Sequence, residues 1–273
     1  MSRSLPRSGT ALLRAWPACA LAVWTAAWQV GPSSSSRVSP DDVLHTLHDY
    51  AQAHELDAAP DSGVASGSAL DLVQLVGRAT ASAVVLPAAG DAQGLPPGLL
   101  TEEVLAAGEV LLLAYLDGQV LTVTARGTAE RCRWTVRAAI AQPHAAPLDV
   151  AALGGDQSAG ELEYELREAV GDAAAVIAGL TGPRTTGPAD LRDALAARTE
   201  YGRLDLPPHD RQRVDRMLAS AAQIDAIVDL AGGGPGASAG QLESADAELR
   251  RLRVLTRRAR AAAVNELLRE YRR

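Results

Sequence analysis

The sequence has no lysine and no phenylalanine, and Asn265 is its one asparagine. Without lysine there can be no Walker-type phosphate loop, which needs that side chain after its glycines. All 26 basic residues are therefore arginine, and the joint scarcity of Lys, Phe and Asn is the codon bias of a GC-rich genome. Arginine abundance says little about function here, because arginine fills every surface role that lysine shares elsewhere. Aromatics are scarce too: 4 Trp and 5 Tyr in 273 residues leave Ala, Leu and Val to carry the 47% hydrophobic content. Such a composition favours close-packed helices, since Ala has the best helix propensity and lets neighbouring helices approach.

The 2 cysteines, Cys19 and Cys132, are far apart and lack metal-type spacing, which argues against a disulfide framework or a zinc site. Free thiols fit a reducing compartment, so a cytoplasmic protein without metal or cofactor is expected. A net charge of −7 argues against nucleic acid or an anionic membrane as partner. The charge is uneven, with nine Arg against five carboxylates in residues 241–273. That basic end can meet an acidic partner or the chain's own acidic body.

A long hydrophobic span is missing as well. Arg3, Arg7 and Arg14 precede an apolar run from Ala15 to Val30 that imitates a signal peptide or anchor, but its 16 residues fall short of the roughly 20 needed to cross a bilayer. It contains Pro17, Trp16, Trp24 and Trp28, and no clean Ala-x-Ala cleavage site stands ahead of Gly31. Leu12, Trp16, Cys19, Val23 and Ala27 recur at helical spacing, as on the core face of a helix within a soluble fold.

What is present reads as an α+β fold: a helix-rich N-terminal part with a small, mostly antiparallel sheet, then a C-terminal helical bundle packed against it. The expected domains are residues 1–147 and 148–273. Ser39-Pro40-Asp41-Asp42 supplies an N-cap, a first-turn proline and acids against the helix dipole. The helix it opens is expected to reach about His54, with a loop over Ala58 to Ser68. A short helix from Leu70 to Gly77, a buried strand over Ala83 to Leu86 and a short helix from Thr101 to Gly108 follow. Two apolar runs, Glu109 to Leu116 and Gln119 to Ala125, flank Asp117-Gly118, the signal for a type I′ hairpin. In a third strand Cys132, Trp134 and Val136 alternate with Arg131, Arg133 and Arg137. Helices are expected over about Ser158 to Leu180, Ala189 to Ala197, Asp210 to Leu230 and Gln241 to Tyr271.

No catalytic constellation is complete. Gly236-Ala237-Ser238-Ala239-Gly240 matches a nucleophile elbow, but no histidine follows Ser238 to act as base. Gly234-Pro235-Gly236 half-fits a dinucleotide fingerprint, yet a helical pattern precedes it where a strand is required. His45, His48 and Asp49 share one helix face at ligand-like spacing, a pattern more often solvated than metal-bound. Two features can bind an anion. One is the loop Pro87 to Gly98, where Gly90, Asp91 and Gly94 follow a buried strand; its alternative is a rigid turn in which Asp91 caps local amides. The other is the guanidinium face of Arg131 and Arg133, for which edge protection is the alternative.

Three stretches carry a resemblance: Trp24 to Gly31 running into Val38-Ser39-Pro40-Asp41-Asp42-Val43-Leu44, Val84-Val85-Leu86-Pro87-Ala88-Ala89-Gly90-Asp91 with Gly94-Leu95-Pro96, and Ala106-Ala107-Gly108-Glu109. They resemble a family of uncharacterised proteins from GC-rich bacteria with no assigned activity. The resemblance implies an intracellular soluble protein and no mechanism. A non-catalytic interaction or scaffold protein, docking another protein or itself, is the first expectation. A binder of an anionic metabolite, or an enzyme, using the loop after residues 83–86 is the second.

Overall fold

The computed structural model describes residues 11–30, 38–139, 148–153, 159–179, 188–231 and 239–272. The chain divides into two units: Met1–Gly154 with Leu204–His209 and Leu267–Arg273, and Gly155–Arg203 with Asp210–Glu266.

The first unit is built on one six-stranded mixed sheet. Its strands are β1 (Ala53–Ala58), β2 (Gly67–Ser68), β3 (Ala81–Val85), β4 (Val110–Ala114), β5 (Val120–Gly127) and β6 (Arg131–Ala138). They run in the order β2-β1-β6-β5-β4-β3. Every neighbouring pair is antiparallel except β1 and β6.

Between them lie α1 (Pro17–Gln29), α2 (Pro40–His48), α3 (Ala69–Gly77) and α4 (Glu102–Ala107). All four helices start where side chains satisfy their orphan amides. Ser39 and Asp42 form a reciprocal capping box on α2, Ser68 and Asp71 do the same on α3, and Thr101 caps α4. Backbone hydrogen bonding to Ser39 holds the Asp42 carboxyl below the usual carboxylate range, as Ser68 does for Asp71. Pro17 occupies the first turn of α1, where its missing N–H costs nothing. Glu109, just before β4, takes over as cap: its carboxylate accepts from the amides of Ala18 at 3.0 Å and Cys19 at 3.3 Å.

α1 packs on β3, β4 and β5 as well as on α2 and α3. Ala18 to Val23 are all buried, while Trp24 and Trp28 are partly buried and Gln29 is exposed, so burial spreads well beyond the one-sided stripe expected from Leu12, Trp16, Cys19, Val23 and Ala27. Its small side chains let the sheet on one side and two helices on the other come close. The opposite sheet face at β3 and β4 is closed by Leu95, Leu99, Val104 and Val150, which form one core with Val85, Val110 and Leu112. Burial on both faces is why these strands read as unbroken apolar runs.

Three expectations are corrected. α2 stops at His48, and the segment expected to continue it to His54 turns into β1. Its alternation buries His54 and Leu56, and its ladder is supplied by β6, 78 residues away in register from Ala53 to Arg131. Non-local pairing here overrides local pattern. Second, the Asp117-Gly118 hairpin is not type I′: Gly118 has φ of +81° while Asp117 does not enter the left-handed region. The Gly118 amide donates to Tyr115 O and the Tyr115 amide to Gln119 O, giving a three-residue loop closed by a glycine bulge. Third, β6 is an interior strand, so its arginines do not protect an edge. Gly127 permits the tight β5–β6 corner, since a Cβ there would lie 2.0 Å from the carbonyl oxygen of Arg131.

Two later segments belong to this unit by specific bonds. The Trp24 indole donates to Asp205 O at 3.0 Å, the Tyr271 hydroxyl to Pro208 O at 3.3 Å and the Arg272 guanidinium to Ser82 Oγ at 2.7 Å.

The second unit is helical: α5 (Ala159–Gly179), α6 (Pro188–Gly202), α7 (Gln212–Ala231) and α8 (Ala239–Glu270), whose last residues count with the first unit. α7 packs on both α5 and α6. Glu163 of α5 accepts ion pairs from Arg213 at 3.3 Å and Arg216 at 3.1 Å of α7, and Arg260 of α8, fully buried, bonds Asp225 of α7 at 2.8 Å. The expected breakers Thr181-Gly182-Pro183 and Gly232 to Pro235 lie outside the described residues.

Candidate functional site

The loop after β3 closes on itself. Ala88 and Asp91 exchange two backbone hydrogen bonds of 2.9 Å around Gly90 at φ +85°, and Asp91 Oδ1 accepts from the Gln93 amide at 3.3 Å. Asp91 therefore acts on local amides, as the rigid-turn alternative requires. Gln93 is left-handed at φ +48°, its Oε1 takes the Leu86 amide at 3.3 Å, and its Nε2 is buried without a hydrogen-bond partner. Gly94 is also left-handed, at φ +81°. Leu95 then enters the core.

Arg131 and Arg133 lie elsewhere on the sheet, with β5 and β4 between their strand and β3. Both guanidinium groups point to solvent and meet acids of β1: Arg131 bonds Glu55 at 2.8 Å, and Arg133 approaches Asp57 at 4.0 Å. Arg137 pairs with Glu103 of α4 at 2.8 Å. The loop and the arginine face thus form two separate features.

His48, His54 and Cys132 are committed internally. His48 Nδ1 contacts Leu44 O at 2.8 Å, and among the described residues no group of three or more His, Cys, Asp or Glu could hold a metal ion. His54, on β1, receives the Trp134 indole on Nδ1 at 3.0 Å and contacts Leu47 O and Ala51 O through Nε2 at 2.8 and 3.1 Å. Burial holds its imidazole below the usual histidine range. Burial, reinforced by the nearby charge of Glu109, pushes the Cys132 thiol up to about 12, which leaves almost no thiolate nucleophile at neutral pH. Of the nucleophile-elbow match, residues 236–238 lie outside the described residues and Ala239 and Gly240 begin α8.

A groove of about 450 Å³ lies within the helical unit, lined by side chains of α5 and α8. α5 buries Leu162, Leu166 and Ala169 at helical spacing, which turns Tyr164, Glu165 and Glu168 outward. α8 buries Leu249, Leu252, Thr256 and Ala259 in the same manner and presents Glu248, Arg251, Leu255 and Arg258 to the groove. Tyr164 is 61% exposed, although its ring is one of very few aromatics in the chain. An apolar floor with charged walls is the layout of a protein-docking patch, apolar at the centre and polar at the rim. Sequence periodicity found the buried stripe of α8 but not this groove, which is lined by two helices far apart in the sequence. The available signal was Tyr164 between Glu161 and Glu168, three and four residues away on the same side of the helix, an aromatic among charges.

Comparison with known proteins places the chain. Residues 18–150 match the family described as Rv1486c-like protein, N-terminal domain, and residues 160–261 match Rv1486c-like protein, C-terminal domain. The uncharacterized proteins MT1533 and Rv1486c of two Mycobacterium tuberculosis strains are each 30% identical to it over 295 positions, covering 92% of this chain and 97% of the relative. The uncharacterized protein ML1804 of Mycobacterium leprae is 28% identical over 296 positions with the same coverage. No solved structure matches. These relatives agree with the resemblance drawn from residues 24–44, 84–96 and 106–109: the chain belongs to the Rv1486c-like protein family.

Proposed function

We propose that this protein is a non-catalytic interaction module that docks a polypeptide in the groove between α5 and α8. The observation that carries this reading is the half-exposed apolar floor around Tyr164 and Leu255, walled by Glu165, Glu168, Arg251 and Arg258. A helix laid into such a groove buries an apolar stripe and meets charges on both flanks. The chemistry of Cys132 and His54 points the same way, since the Cys132 thiol is held protonated and both nitrogens of His54 are engaged. The reading includes a cytoplasmic location, supported by two buried free cysteines, and no nucleic-acid partner, supported by the net charge of −7. Among the described residues no helix is long and apolar enough to cross a membrane.

Native mass spectrometry of the full chain, recovered from the cells that make it, tests the proposal. A complex heavier than one chain is expected, and Leu255→Asp should abolish it while leaving the thermal midpoint nearly unchanged. A chain that always runs alone overturns the reading.

One observation favours a second reading, in which the loop of Gly90, Asp91 and Gly94 holds a small anionic metabolite. Gln93 is kept in a left-handed conformation with a buried amide donor left over, and such backbone outliers concentrate at ligand sites. Arg131 and Arg133, three strands away, then form a separate anion-facing surface. A thermal-shift screen of phosphorylated metabolites against the wild type and Gln93→Ala checks it, because a ligand of the folded state raises its apparent stability. No shift with any compound removes this reading.

A further inference from the structure

We propose that the polypeptide docked in the α5/α8 groove is a second copy of this same chain, held by a two-fold axis; the inference rests on the docking role argued above. The reason is the distribution of charge across the groove. The α5 wall is acidic, with Glu165 and Glu168, whereas the α8 wall carries Arg251 and Arg258 with Glu248, the last 3.5 Å from Arg251. The lining also includes the exposed Tyr164 of α5 and the half-buried Leu255 of α8.

A patch with one acidic and one basic side is its own complement under a two-fold rotation whose axis runs along the groove between them. In an isologous interface residue i of one copy meets residue j of the other, and j meets i, so each acidic α5 wall faces the partner's basic α8 wall twice over. A uniformly charged patch would repel its own copy, and an arbitrary partner would need both charges matched in mirror order. Tyr164, 61% exposed on α5, adds an aromatic ring to the contact, which gives much buried area for little loss of side-chain freedom. Ion pairs already made within one copy are no obstacle, because exposed pairs contribute only about 0–1 kcal/mol and exchange readily for pairs across an interface.

The test is a charge swap on the full chain, followed by sedimentation equilibrium. The wild type should be a dimer at submillimolar concentration, weakened by added salt. Glu165→Arg with Glu168→Arg makes both walls basic, and Arg251→Glu with Arg258→Glu makes both acidic. Each double variant alone should dimerise at least roughly tenfold more weakly, because like charges then face each other on both sides. An equimolar mixture should form the dimer again, since basic then meets acidic at both contacts. All four side chains are solvent-facing, and Tyr164→Ala, which truncates an exposed ring, serves where a charge variant melts early. A monomeric wild type overturns the dimer, as does a dimer indifferent to all three variants or a mixture that does not re-associate. If the wild type is monomeric while native complexes with a different polypeptide persist, the second copy is excluded and the docking role stands; if neither complex forms, both fail.

Discussion

Trp134 donates its indole N–H to Nδ1 of His54 across 3.0 Å, tying interior strand β6 to β1 inside the core. With Nδ1 used as an acceptor, the ring proton sits on Nε2, which faces Leu47 O and Ala51 O at the end of α2. One neutral imidazole thereby joins the parallel strand pair to the turn that precedes it. Protonation puts a hydrogen on Nδ1, facing the Trp134 N–H, and breaks the arrangement.

Stability should therefore fall on acidification. Burial lowers the folded-state value of His54 beneath its ordinary 6.5, so the unfolded chain binds a proton that the folded one refuses. Between those two values the unfolded state holds more protons, and stability rises with pH. The contribution is fully present above 6.5 and is lost as pH falls from there through the folded value. Thermal melts from about pH 8 to pH 5 should show the midpoint dropping in that window, and the drop should be shallower in His54→Gln. Identical pH profiles for the two proteins contradict this role. His54→Ala at neutral pH should cost about 2–4 kcal/mol through a cavity and an orphaned indole N–H.

Glu109 gives a second prediction. It is 2% exposed and accepts from the first amides of α1, so it is the buried cap that fixes that helix to the sheet. Glu109→Ala should lower stability by roughly 1–3 kcal/mol, and Glu109→Gln, which keeps one acceptor oxygen, by less. Urea unfolding followed by tryptophan fluorescence reads both, because Trp24 and Trp28 ride on α1. Equal losses for the two variants would show that acceptor geometry does not matter there.

In the helical unit Asp225 accepts from the fully buried Arg260 at 2.8 Å and also from Thr256. Removing one partner leaves a charge in the core, so Asp225→Ala should cost about 3–5 kcal/mol. Replacing both, with Asp225→Leu and Arg260→Met, should recover most of that loss. A double-mutant cycle with no coupling between the two positions contradicts the pairing.

Much of the fold was legible in the sequence where local chemistry dictates it. Ser39-Pro40-Asp41-Asp42 is a strong local signal for a helix start, Asp117-Gly118 favours a hairpin, and the alternation of Cys132, Trp134 and Val136 puts them on one face of a strand. β1 was not legible: Ala53 to Ala58 contains a histidine and two acids, and only β6 makes it a strand. The same gap hid Glu55 and Asp57, without which Arg131 and Arg133 read as unmatched charges. Asp91 was correctly read as able to cap its own loop, whereas the left-handed Gln93 beside it has no sequence signature. Glu109 looked like the first residue of a strand, because a cap delivered from 90 residues away leaves no local trace.

The docking role is tested most directly by placing a photo-activated cross-linking amino acid at position 164 and, as control, at Tyr201, which is 43% exposed on α6 outside the groove. Irradiation in the producing cell should join a polypeptide to position 164 and give little or nothing at 201. Adducts at 201 equal to those at 164, or none at 164, would contradict a docking groove between α5 and α8.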